Sequence, residues 1–187
     1  MNVFLVGENV LLRSLELDDL DRFCTWFADR EVVKYSLGTW LFPWSKHETE
    51  AWLKQTLENK ESLSLGVVEK ATARLIGYAG ITAISRINHS GEYFILLGEK
   101  SCWGKGYGTE VTRLLVHYGF ASLNLHRIML TVSEPNIGGV RAYRKAGFQQ
   151  EGVLRQACYR DGAYHDKLIM AILRPEWEAN LASETAV

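Results

Sequence analysis

Between residues 103 and 110 the chain reads Trp103-Gly104-Lys105-Gly106-Tyr107-Gly108-Thr109-Glu110, and alternating glycines at that point leave few ways to fold. Upstream, Glu92 to Leu97 is aromatic and aliphatic, as a strand requires; downstream, Val111, Leu114, Leu115 and Tyr118 recur at helical spacing. A glycine-rich turn joining a strand to a helix aims several unpaired amides at one point, and the helix start adds a partial positive charge. Side chains would block that approach. The turn therefore suits a phosphate or pyrophosphate, with a ligand-free turn as the alternative. A Walker A loop is excluded, because Gly106 follows Lys105 and Glu99 sits where its first glycine belongs. A dinucleotide fingerprint fits poorly, since Thr109 occupies its last glycine position.

The rest of the chain supplies a setting for this turn. Val10 to Ser14 reads as a strand, and Asp18 and Asp19 begin a helix with Leu20, Phe23, Cys24 and Phe27 on one face. Ser45-Lys46-His47-Glu48 fits a capping box, which predicts a helix to about Asn59. Leu63 to Glu69, Leu75 to Ile84 and Glu92 to Leu97 form an antiparallel meander, with turns at Ala71 to Arg74 and Asn88 to Gly91. After the glycine turn and its helix comes a strand at Arg127 to Ser133, so the later strand pair is expected to be parallel. Asn136 caps another helix, carrying Val140 and Tyr143 and ended by Gly147. Val153 to Arg160 and Tyr164 to Leu173 close the sheet through a tight turn at Asp161-Gly162, and the polar tail after Trp177 is expected to be loose.

With 187 residues, 47% hydrophobic and 23% charged, one globular domain spanning 1–187 is expected, its core about residues 8–174. The 21 Lys and Arg against 22 Asp and Glu leave a net charge of -1, which argues against nucleic acid as a partner. Apolar runs are too short to cross a membrane and Met1 to Gly7 lacks the pattern of a signal peptide, so a cytoplasmic location is expected. Cys24, Cys102 and Cys158 are scattered and His47, His89, His117, His126 and His165 show no ligand spacing, so no metal is expected.

The order strand, glycine turn, helix, strand, followed by Asn136 and Tyr143-Arg144-Lys145-Ala146-Gly147-Phe148, resembles the GNAT superfamily of N-acetyltransferases from Val10 to about Leu173. Leu123-Asn124-Leu125-His126-Arg127, Glu151-Gly152-Val153-Leu154-Arg155 and the ending from Asp161-Gly162 to Asp166 and Met170 look like its RimJ/RimL type, which also has polyamine-acetylating relatives. The resemblance implies an α/β (α+β) single-domain fold: a mixed, mostly antiparallel central sheet with helices on both faces and a splayed parallel strand pair. It implies acetyl-CoA as cosubstrate, with the pyrophosphate on amides from Gly104, Lys105, Gly106, Tyr107, Gly108 and Thr109. Trp103 replaces the family's Gln or Arg. The strand of Leu96, Leu97 and Gly98 would hold the pantetheine arm, with an amide near Leu96 facing the thioester carbonyl and Asn136 also bonding the arm. Tyr143 matches the tyrosine that protonates the departing thiolate, or else anchors its helix to the core; Gly139 stands where some relatives carry a serine acid. Glu92 matches a general-base position, or is a surface carboxylate at a strand end. Trp40, Phe42 and Trp44 form the expected acceptor wall, with core packing as the alternative. The acceptor is expected to be a primary amine on a protein N-terminus, with a polyamine or other small amine, antibiotics included, second. A non-catalytic acyl-CoA sensor is the reading from another class, and a homodimer is left open.

Overall fold

Alternation along the strands sorts the apolar residues onto two faces, and each face is covered by helices. In the computed structural model, which describes residues 2–36 and 42–185, eight strands form one sheet. They are β1 (Val3–Val6), β2 (Val10–Ser14), β3 (Leu63–Glu69), β4 (Arg74–Ser85), β5 (Ser90–Leu97), β6 (Arg127–Ser133), β7 (Gln149–Arg160) and β8 (Ala163–Leu173). Their order is β1-β2-β3-β4-β5-β6-β8-β7, antiparallel throughout except for β5 and β6. The meander and the parallel pair are as the sequence indicates, giving a single α+β domain.

On one face pack α1 (Leu20–Ala28), α2 (Arg30–Val33) and α3 (Lys46–Glu58); on the other lie α4 (Tyr107–Ala121) and α5 (Ile137–Lys145). The α3 capping box forms as read, Ser45 accepting from the Glu48 amide and the Glu48 carboxylate accepting from Ser45 N–H at 2.7 Å. Strand β5 shows the sorting: Tyr93, Ile95 and Leu97 join the core under α4 and α5, whereas Phe94 and Leu96 join the one under α1 and α3. In the latter core Phe23 meets the rings of Trp26, Trp52 and Tyr78 edge-on at 5.0–5.4 Å. Gly98 lies so close to Trp26 that a Cβ would come within 2.0 Å of the indole, so only glycine fits where β5 ends.

Two readings need correction, and two short elements went unread. Strand β1 and the single-turn α2 have too few residues to show a period, and β7 begins at Gln149 rather than Val153. The tail is also ordered: α6 (Arg174–Thr185) packs Trp177 against His117 and Phe120 at 5.4 and 5.3 Å. Arg174 fixes its start by donating to the Phe120 and Leu125 carbonyls. The Glu176 carboxylate adds bonds from Gln149 and from the Leu173 amide, both at 2.8 Å; a helix held by a ring and by polar side chains shows no apolar period, which is why periodicity missed it. Trp177→Ala is expected to cost about 2 kcal/mol of unfolding free energy, less than a fully buried tryptophan; a urea titration with an unmoved midpoint would show the helix undocked.

Candidate active site

Strand β5 ends at Leu97, and the next amides, Gly98 and Glu99, both donate back to the Ile76 carbonyl of β4 at 2.9 and 3.1 Å. The chain then takes a single 3-10 turn, Lys100–Cys102, and enters the glycine segment. Gly104 and Gly106 have φ of 76° and 88°, a left-handed backbone that glycine adopts without strain, and a Cβ at either would meet nothing within 4 Å. Gly106 caps α4, and the first amide to turn inward is that of Glu110, bonded to the Gly106 carbonyl at 3.1 Å. The amides of Tyr107, Gly108 and Thr109 therefore project from the helix start, where a pyrophosphate is favoured. Open space, positive φ and free donors fit coenzyme A at this point.

The side chains of this segment face elsewhere. Tyr107 donates its hydroxyl to the Glu69 carboxylate at 2.9 Å, Thr72 donates to the same group at 2.7 Å, and the Lys105 ammonium stands 3.7 Å away. Donation from Thr72 and Tyr107 holds the Glu69 carboxyl below its ordinary range, and Glu69 in turn raises the Tyr107 phenol. So the Tyr107 hydroxyl is engaged, and the half-exposed Lys105 ammonium stands beside Glu69. The Trp103 indole donates to the Leu97 carbonyl at 2.8 Å, occupying a strand-edge acceptor.

Strands β5 and β6 pair only from Ser90 to Glu92 with Arg127 to Met129, and diverge beyond. Which amides face the gap follows from alternation. His89 accepts from the β6 side, through the amides of His126 and Arg127; Gly98 donates toward β4; Leu97 accepts from Trp103. Odd-numbered residues of β5 thus point toward β6. The amides facing the gap belong to Ile95 and Leu97, which corrects Leu96, whose backbone pairs with Tyr78, and removes Gly98, whose amide is engaged.

One cleft of about 1090 Å³ runs through this gap, lined by Gly104, Gly106, Gly108, Thr109, Trp103, Asn136, Tyr143 and Glu92. Asn136 accepts from the Gly139 amide at 3.0 Å and so caps α5. Tyr143, from the same helix, stacks edge-on against Tyr93 with centroids 6.0 Å apart, and burial pushes its phenol up to about 12. Tyr93 was not singled out by sequence. Its hydroxyl bonds Thr112 at 2.9 Å and Thr112 donates to the Gly108 carbonyl at 2.6 Å, so Tyr93 is the donor, and this buried chain ties β5 to the first turn of α4. No local pattern marks it, because it joins residues from separate elements.

Neither described residue of the expected acceptor wall is where it was read. Trp40 lies outside the described residues. Phe42 is 71% exposed and Trp44 packs on Phe27 at 5.8 Å; neither lines the cleft. A tryptophan gains more from burial in the aromatic core beneath α1 and α3 than from facing solvent. Among the described residues, that part of the cleft is lined instead by Tyr35, Ser36, Trp52, Phe94, Arg160 and Lys167. Tyr35 donates to the Pro135 carbonyl at 3.2 Å and Arg160 donates to that of Ser36 at 3.1 Å, which fastens the segment after α2 over the gap.

Residues 9–149 match the model of the acetyltransferase (GNAT) domain. The chain belongs to this family. It is 31% identical over 174 residues to an uncharacterized N-acetyltransferase, p20, from Bacillus licheniformis, covering 92% of this chain and 97% of that protein. It is 30% identical over 172 residues to a spermidine N(1)-acetyltransferase from Vibrio cholerae, covering 92% and 97%. The crystal structure of spermidine N-acetyltransferase from Vibrio cholerae in complex with CoA and spermine superposes with a TM-score of 0.80 at 28% identity, over 91% of this chain and 98% of that one. This GNAT protein is an acetyl-CoA-dependent N-acyltransferase. Among its described residues no group of side chains is arranged to hold a metal ion, and no helix is long and apolar enough to cross a membrane.

The raised Tyr143 phenol has a checkable consequence. Ultraviolet titration of the acetyltransferase minus that of Tyr143→Phe should place this phenol near 12. Because folding raises its affinity for the proton, the stabilisation is full below about pH 10 and is lost as pH rises toward 12. A difference titration centred at 10 would show the ring in water.

Proposed function

We propose that this acetyltransferase is of the RimJ/RimL type and carries the acetyl group directly from acetyl-CoA to the α-amine of a protein N-terminus. The observation that carries the reading is the gap between β5 and β6: the free amides at the start of α4 lie at one side of it, and Tyr143 and Glu92 line the same cleft. Acetyl-CoA supplies an activated thioester. The amides of Tyr107, Gly108 and Thr109 hold the pyrophosphate, and Asn136 bonds the pantetheine arm while capping α5.

Each residue then has one task. The α-amine is partly protonated near neutral pH, and Glu92, at the closed end of the gap, takes a proton so that nitrogen can attack. The Leu97 or Ile95 amide donates to the carbonyl oxygen as negative charge gathers there. As the carbon–nitrogen bond forms and the carbon–sulfur bond breaks, Tyr143, held neutral by burial, delivers its proton to sulfur, and the second proton shed by the nitrogen restores the phenol through water. Holding amine and thioester together removes much of the entropic barrier. A polyamine acceptor is the second reading, favoured by the relatives named as spermidine N(1)-acetyltransferases.

Tyr143→Phe should lower kcat about 100-fold, as loss of a general acid does, with the dissociation constant of CoA kept; unchanged turnover would remove Tyr143 from the acid role. Gly106→Trp, at φ 88°, should abolish CoA binding by filling the space before α4. Calorimetry giving normal affinity would move the pyrophosphate elsewhere.

A further inference from the structure

The acceptor side of the cleft carries a charge pattern that the family assignment does not supply. Ile128, Leu130 and Val132 of β6 and Leu168, Met170 and Ile172 of β8 point into the core beneath α4 and α5. Lys167 consequently faces the other side, the side of Glu92 and Phe94 on β5. Arg160, at the end of β7, lines the same wall. Two charges there are already matched: Lys34 pairs with Asp161, and Glu31 with Lys100 at 3.0 Å.

Arg160 and Lys167 are not matched. Arg160 donates only to carbonyls, those of Tyr159 at 2.7 Å and Ser36 at 3.1 Å, and its Nε is buried with no acceptor among the described residues. Neither cation has a carboxylate partner among the described residues. A buried donor without an acceptor is costly unless something binds it. Two such cations facing one carboxylate, Glu92, would repel a polyamine and attract an anion.

From this charge pattern we infer that the acceptor is an α-amine followed within one or two residues by an acidic side chain, which Arg160 and Lys167 bind. The inference rests on the N-terminal-amine reading above. Spacing supports it: Lys167 stands opposite Ser133, four residues along β6 from Met129, the neighbour of Glu92. At about 3.3 Å per residue Lys167 lies about 13 Å farther along the strands than Glu92, and the Glu92 and Lys167 side chains shorten that span; Arg160, which pairs with Ala163 beyond Lys167, lines the wall from the tip of the β7–β8 hairpin, where it bonds Ser36. Two or three peptide residues cover it. The carboxylate of a free amino acid, bonded directly to the carbon that bears the amine, does not.

The test measures thiol release from acetyl-CoA with the tripeptide amides Ala-Glu-Ala, Ala-Gln-Ala and Ala-Lys-Ala and with spermidine. The Glu peptide should exceed the Gln peptide by about tenfold in kcat/KM, the worth of one charge-assisted hydrogen bond, with the Lys peptide and spermidine below both. Arg160→Gln and Lys167→Gln should each bring the Glu-over-Gln ratio toward one, mainly through KM, and Arg160→Lys should restore part of it. If Arg160 only secured Ser36, all peptides would slow together with the ratio kept, and the inference would be overturned. Equal rates on the Glu and Gln peptides, or preference for spermidine, would overturn it while acetyl transfer stands. No transfer to any of the four would overturn the N-terminal-amine reading as well.

Discussion

In the middle of an eight-stranded sheet, β5 runs from Tyr93 to Leu97 without a neighbour on its β6 side. Unpaired backbone in a sheet interior is normally costly, because each amide and carbonyl has given up water. The gap persists because both faces of β5 are pinned. Phe94 and Leu96 are locked into the aromatic core under α1 and α3, and Tyr93, Ile95 and Leu97 into the core under α4 and α5. Closing the sheet would tear one of these cores. The free strand edge is then available to a ligand that adds itself like a strand, and a thioester carried on a long flexible arm suits it.

Two carboxylates fix the turn that leads from this gap to α4. Glu69 gathers Tyr107, Thr72 and Lys105 on one side of the glycine segment. Glu99 accepts from the Trp26 indole and from Arg22, both at 3.2 Å, where the chain leaves β5. Between them the glycines keep their amides outward. Preorganisation of this kind matters for catalysis, since donors already in place need no rearrangement when charge develops. The chain from Tyr93 through Thr112 to the Gly108 carbonyl does the same for the junction of β5 with α4.

The two ends of the cleft obey different rules. On the coenzyme side the recognition elements are backbone amides, whose positions depend on helix and strand geometry. On the other side the cleft is lined by side chains from separate elements: Tyr35, Trp52, Arg160 and Lys167. Tertiary contacts bring these together, the Tyr35 hydroxyl reaching Pro135 across 100 residues of sequence and Arg160 reaching Ser36 across 124. Such a wall can change its chemistry without disturbing the coenzyme side, which is how one fold serves different amines.

Local patterns in the sequence were enough for the glycine turn, the meander, the parallel pair, the α3 capping box and the Asn136 cap, because each depends on residues a few positions apart. They also marked Tyr143, through its place in the run from Tyr143 to Phe148. They could not show that the gap-facing amides are those of Ile95 and Leu97, since that needs the register of two strand pairs. They pointed to Trp40, Phe42 and Trp44 for the acceptor wall, whereas the cleft is lined by Arg160 and Lys167 and by neither Phe42 nor Trp44, because an aromatic cluster looks the same in sequence whether it faces a cleft or a core. The α6 helix escaped for a related reason, its docking depending on contacts of Arg174, Glu176 and Trp177 with residues distant in sequence. Short-range geometry is written in the order of the residues; which distant side chains share a wall, and with what charge, is decided only when the sheet is assembled.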